Sequence, residues 1–411
     1  MIRTGNHSTP EAEPTAPGRF PSKDRPSACS AMTQPQTPHE TETDAETRRT
    51  LHLCNICGFC TGLCAVFRSA ERRPALTQAD LDHLAHLCHN CRACWYACQY
   101  APPHAFAINV PATLARHRAR SYRRYAWPRP LAGLLARSGT ATTAVALFTT
   151  LLVPLLTLLW VPGEVLFAAH RAEGAFYRVI PWGLMSAVAV LTLGFSLLAV
   201  TMGLIRYWRD IGRGGPPAVS VWRALPTAAR DLFTLRNLEG GGGGCNDRGE
   251  RPGHTRRRLH HALFYGFLLC LAATIVAAGY HHFLHWQAPY PFFSLPTLLG
   301  TVGGLSMITG AAGMIRLKRG ADPAPTAAET LPADYALLGL LLATAATGLL
   351  LLALRETPAM GLTLALHLGT VLGFFVMIPY SKFVHGAYRA ASLLRAAMER
   401  PTDRPTGLDL T

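Results

Sequence analysis

The sequence predicts a mainly α-helical protein in two parts, a cysteine-rich helical head and a six-helix transmembrane bundle. Three observations carry this. The pattern Cys-x2-Cys-x2-Cys-x3-Cys occurs twice, in LCNICGFCTGLC (residues 53–64) and LCHNCRACWYAC (residues 87–98). Six apolar stretches of membrane-crossing length follow. Histidines stand in or at the ends of those stretches, where ionisable side chains are costly and mark function.

Composition agrees. Of 411 residues, 49% are hydrophobic and only 15% charged. That is a membrane composition with a polar portion attached. The formal net charge of +15 comes almost wholly from Arg, since Lys occurs only at Lys23, Lys318 and Lys382. Arg flanking membrane helices explains it. No helix-turn-helix or stacked-aromatic pattern favours nucleic acid. The opening MIRTGNHSTPEAEP lacks the apolar core of a secretory signal. Eight of the eleven cysteines fall within residues 54–98, so metal binding is favoured over disulfides.

Residues 1–46 read as a disordered tail rich in Pro, Thr, Ser and Glu, with Met32 an alternative start. Residues 47–112 form the cysteine domain. Within it TQADLDHLAHLC reads as a helix, with Thr77 at the N-cap and Asp80 three residues on. The basic connector 113–139 carries seven Arg from Arg116 to Arg137, with Tyr122, Tyr125 and Trp127. It suits a membrane surface or a solvated linker. Residues 140–388 form the transmembrane domain. Its spans are roughly Thr140–Val161, Trp182–Ile205, His261–His282, Leu295–Leu317, Asp334–Leu354 and Gly361–His385. The 206–258 loop holds eleven Arg, the 316–333 loop is basic, and basic residues recur in the 389–411 tail. With six spans these segments share one side. The head and both termini are therefore expected in the cytoplasm, with the spans in a bacterial inner membrane.

The doubled cysteine pattern is the spacing of bacterial ferredoxins, which bind two [4Fe–4S] clusters. Three thiolates two residues apart wrap three corners of a cube, and the last cysteine of the other motif completes it. Cys54, Cys57, Cys60 and Cys98 are thus assigned to one cluster, and Cys88, Cys91, Cys94 and Cys64 to the other. Structural zinc normally uses two separated Cys pairs. Ala65 and Gln99 stand where ferredoxins place Pro after the fourth Cys, and a helix fills the 23-residue gap. A helical ferredoxin-like domain is expected.

Haem b needs two facing axial imidazoles. His367 and His385, 18 residues apart, would share one face of a single last helix, ~27 Å apart. His260 or His261 would lie level with His385, and His281 or His282 level with His367. One or two bis-histidine haems follow, unless these histidines simply sit at span ends. Gly300, Gly304, Gly369 and Gly373 form small-residue faces, more for helix packing than for porphyrin. His52, His83, His86, His89 and His104 are expected at the surface, with His89 able to tune a cluster. NLEGGGGGCNDRGE (residues 237–250) reads as a flexible loop with a stray thiol at Cys245, and no GxGxxG follows a strand. Any flavin must belong to a partner.

The two cysteine motifs, six spans, and the segments RRRLHHALFYGFLLC, APYPFFSLPTLLGTVGG and HLGTVLGFFVMIPYSKFVHGAYR resemble the tricarballylate or citrate utilization protein B family over roughly residues 47–395. The resemblance implies an iron–sulfur and haem membrane protein that reoxidises the FAD of a partner tricarballylate dehydrogenase. Electrons would leave to quinone. It also implies the eight cysteines as cluster ligands, with His260 or His261, His281, His367 and His385 at the haem. The same cofactor chain could serve another donor, in a cobalamin-pathway or heterodisulfide-reductase-like module. A transporter with a zinc-binding head is the reading from another class. Scarce acidic residues in the spans and the lack of inverted repeats weigh against it.

Overall fold

In a computed structural model, residues 41–136, 139–212 and 217–400 are described; they are mainly helical and contain no strand. Most of the expected disordered tail (residues 1–40), with Met32, and the end of the basic tail (residues 401–411) lie outside the described residues. Helix α1 (Glu42–Cys57) begins inside the stretch read as tail. Thr41 caps it, accepting from Asp44 N at 3.3 Å. Helix α2 (Ala65–Glu71) follows, then α3 (Gln78–Leu87), which has the expected capping box. Thr77 N donates to Asp80 Oδ2 at 2.9 Å and Asp80 N to Thr77 Oγ1 at 3.3 Å. Short α4 (Ala93–Tyr96) carries Cys94. Leu51, Leu76, Leu81, Leu84 and Leu114 are fully buried in the head. Each such side chain stabilises the head by about 1.5–3 kcal/mol.

Helix α5 (Val110–Tyr125) is neither a surface anchor nor a linker. Asn109 caps it, and Leu114, His117, Arg118 and Ser121 are buried against α1 and α3. His117 sits between two carboxylates, Nδ1 3.1 Å from Asp44 and Nε2 2.9 Å from Asp82. Without that pairing, burying these charges would be prohibitive.

After α6 (Arg129–Leu135), six helices are long and apolar enough to cross a membrane. They are α7 (Gly139–Trp160), α10 (Trp182–Ile211), α12 (Thr255–Leu284), α13 (Leu295–Arg319), α14 (Leu331–Leu354) and α15 (Met360–Met377). Short α8 (Gly163–Leu166) and α9 (Ala175–Val179) lie between the first two, and α11 (Val221–Phe233) follows α10. Phe148, Leu151 and Leu159 on α7 and Val190 and Leu191 on α10 stay exposed, as lipid-facing residues do. Small residues set the helix spacing. A Cβ at Gly369 of α15 would stand 2.7 Å from Thr149 O of α7. That face is for helix packing, as expected.

The last span ends early. Pro379 lacks the N–H that would continue the helical ladder, so α15 stops at Met377 instead of running to His385, although Ile378 itself still holds helical backbone. The chain restarts as α16 (His385–Met398), which packs on α3 and α11. Leu393 and Ala396 join the head core, and Arg73 forks onto Glu399 at 2.6 and 2.7 Å. His367 and His385 therefore lie on different helices. The reading of both on one helical face is corrected by this break.

Candidate cofactor sites

The cysteines are positioned by helix ends. Gly58, at φ 65°, stops α1 just past Cys57, and the following turn carries Cys60. Cys64 is the N-cap of α2. In the second motif Asn90 and Arg92 take left-handed backbone (φ 55° and 68°) on either side of Cys91. Such backbone costs about 1–3 kcal/mol unless its surroundings hold it. Here Arg92 donates to Asp247 O at 3.1 Å, Asp322 O at 3.2 Å and Thr326 Oγ1 at 2.7 Å.

Cys54, Cys57, Cys60 and Cys98 line one cavity of about 100 Å³. Burial pushes the Cys54 thiol up to about 12, helped by the neighbouring Cys60, Cys98 and Cys57 thiols. Burial pushes Cys64 up to about 12 as well, helped by Cys91 and Cys88. Cys94 is raised by burial and then by Cys91, Cys64 and Cys88. Each fourth cysteine thus neighbours the other motif's triplet. Among the described residues no three His, Cys, Asp or Glu close around a single ion. The thiols of the two motifs stand in two groups of four. Such thiols lose their protons only as metal binds.

The glycine-rich stretch is packed. Cys245 is buried, Asn246 N donates to Cys91 O at 2.9 Å, and Cys245 pairs with Gly253. Gly240 and Gly241, at φ 53° and 81°, fold against Ala93 and Leu63, which only residues without a Cβ do readily. This loop covers the second quartet. His83, His86 and His89, expected at the surface, are buried. His86 lies within the tyrosine cluster of Tyr122, Tyr207 and Tyr388.

A cavity of about 1500 Å³ runs through the bundle, beyond the ~300–1,000 Å³ of a single-ligand pocket. Four histidines line it: His89, His260, His367 and His385. The His260 and His385 rings stand 6.2 Å apart. His385 Nδ1 donates to Lys382 O at 2.6 Å, leaving Nε2 free. His89 Nδ1 likewise donates to Leu87 O at 2.8 Å. Thr347 donates to Ala343 O at 2.8 Å and accepts from His367 Nδ1 at 3.1 Å, so His367 Nε2 is also free. These tautomers follow from the partners.

The other histidines lie elsewhere. His261 packs on Tyr265. His281 stacks on Trp182 at 4.4 Å with Tyr177 Oη 3.3 Å from Nδ1, and His282 meets the edge of the same indole. Neither lines the cavity, so the structure does not bring either together with His367. Trp182 opens α10 and captures that end of α12, a contact no periodicity in α12 encodes. His89 as a cavity residue was legible only in its position beside Cys88.

A Fer4-like head on six membrane-length helices defines the class: a multi-pass membrane iron–sulfur protein. The profile of citrate utilization protein B matches residues 137–406, and that of the citrate utilization protein B Fer4-like domain matches residues 47–124. This chain belongs to the citrate utilization protein B family. Citrate utilization protein B of Escherichia coli is 43% identical over 371 residues, 90% of this chain and 96% of its own length. No solved structure matches.

Proposed function

We propose that this protein is an electron conduit, with its head in the cytoplasm, that reoxidises a reduced flavoprotein of the tricarballylate dehydrogenase type and delivers electrons to quinone. When bound, two [4Fe–4S] clusters and haem b supply one-electron relay between donor and acceptor. One observation carries the reading: the second cysteine quartet adjoins the histidine-lined cavity through the consecutive residues Cys88 and His89.

The residues fit the groups. His260 and His385 both line the cavity with their rings 6.2 Å apart, and between them they would hold a haem. His385 is oriented through its backbone hydrogen bond as metal-bound histidines are. His260 and His385 are therefore the preferred haem ligands. His367 presents one nitrogen to a part of the cavity where no second imidazole faces it. Quinone is assigned there, hydrogen-bonded to His367. A second haem there is the alternative, and a haem count separates the two. His261, His281 and His282 keep packing roles. Ile56 and Phe59, exposed by 75% and 69% beside the first quartet, suit a docking partner.

Stopped-flow mixing tests this. Photoreduced flavin, then quinone, should reduce and reoxidise the haem band in turn. H385A should keep cluster reduction and lose transfer to quinone. Equal quinone reduction by H385A would refute the route.

A further inference from the structure

The second quartet lies deeper than the first. The first quartet's cavity also holds the exposed Phe59, whereas the second is covered by the glycine-rich loop and faces the membrane helices. A reduced cluster carries one more negative charge than an oxidised one. Burial in low dielectric disfavours the added charge, so depth alone would make the inner cluster the harder to reduce. Electrons entering at the outer cluster would then meet an uphill step.

Two arginines oppose this. Arg118 of α5 donates to Cys88 O at 2.6 Å and to Ala85 O at 2.8 Å. Arg389 of α16 donates to the same Cys88 O at 3.0 Å and to His86 O at 3.3 Å. Arg118 is buried, and Arg389 stands one helical turn after His385. Neither is ion-paired with a carboxylate among the described residues. Arg256, which donates to Asn90 O, differs: it is paired with Asp247 at 3.3 Å, which offsets its charge. At the first quartet Cys54 and Cys60 are raised by burial and then by neighbouring thiols, and no cation contributes. Two uncompensated guanidinium groups thus converge on one ligand residue of the inner quartet alone. In a low-dielectric site such charges act strongly.

We propose that Arg118 and Arg389 are positioning residues that raise the reduction potential of the inner cluster, offsetting its burial so that the outer-to-inner step is not uphill. This rests on the two-cluster reading above, which iron content and the cluster EPR signals test separately. The Cys88 carbonyl fixes both groups, and their charge is the active property.

The experiment is an EPR-monitored redox titration of the full-length protein in detergent, with R118Q, R389Q and R389K. Wild type must first show two clusters; their absence would defeat the conduit reading itself, and this inference with it. In each Gln variant one cluster should shift to more negative potential while the other stays, with iron content unchanged. R389K keeps the charge and should titrate near wild type. Unchanged potentials in Gln variants that retain both clusters would overturn the proposal. So would loss of the inner cluster in both Gln variants, because the arginines would then only hold the fold.

Discussion

At the scale of single residues, the quartets make separable predictions. Two clusters bring about eight iron atoms per chain. C98S should remove a ligand from the Cys54, Cys57 and Cys60 set and spare the other, and C64S should do the reverse. Iron analysis with EPR of the reduced protein reads both. A single zinc-like site would lose everything with either change. H260A and H385A should abolish haem binding to that pair, whereas H261A and H282A should leave haem content unchanged. His117 offers a test of the head. Burial alone would lower its pKa, but hydrogen bonds donated to Asp44 and Asp82 outweigh this and raise it above 6.5. Asp44, raised by burial but lowered more by His117, sits well below 3.8. The His117 contribution is therefore full below about pH 6.5 and fades as pH rises through its raised value. The Asp44 contribution is present above about 3.8 and fades as pH falls below it. H117Q should cost the head about 3–5 kcal/mol, the range for breaking a buried pair, and flatten the alkaline limb. Thermal bleaching of the cluster absorbance across pH checks it.

At the scale of elements, the sequence was legible where periodicity and length decide. All six spans, the proline-broken turn between α12 and α13, and the Thr77 capping box follow from local signals. The errors share a cause. Tertiary partners decided α5, whose arginines face carbonyls and carboxylates of the head instead of lipid. They decided His86, buried against Ser121, Tyr207 and Tyr388, and the burial of His83 and His89 in the head. They decided the glycine-rich loop, which rests on a quartet more than a hundred residues earlier. The end of α15 was different: Pro379 was in plain sight, and the Tyr380-Ser381-Lys382 that follows is not apolar, so the end of the span was legible there. Helix spacing gives its own prediction. G369L would drive a side chain into Thr149 and Thr150 of α7, and overpacking of this kind costs about 1–3 kcal/mol. The thermal midpoint in detergent should fall while the cluster EPR signals stay. An unchanged midpoint would mean α7 and α15 do not pack this closely.

At the scale of the whole molecule, the head is fastened to the bundle by charge and by aromatic packing. Arg92 reaches the 247 and 322 backbone, Arg256 reaches Asn90, and Arg389 reaches Cys88. Tyr125, Tyr207 and Tyr388 fill the seam. A rigid seam suits electron transfer, which needs cofactors held close more than it needs motion. It also explains why the α16 helix returns to the head instead of ending the last span. The exposed Ile56 and Phe59 predict that I56E and F59E slow electron uptake from a flavoprotein but not from dithionite.

The most direct test of the conduit is an optical spectrum of the detergent-purified protein before and after dithionite, with iron analysis and a pyridine haemochrome count. Sharp reduced α and Soret bands over a broad, bleached cluster absorbance, with one haem b per chain, are expected. Stoichiometric zinc with neither haem bands nor cluster absorbance would contradict the conduit and leave a membrane protein with a zinc-binding head.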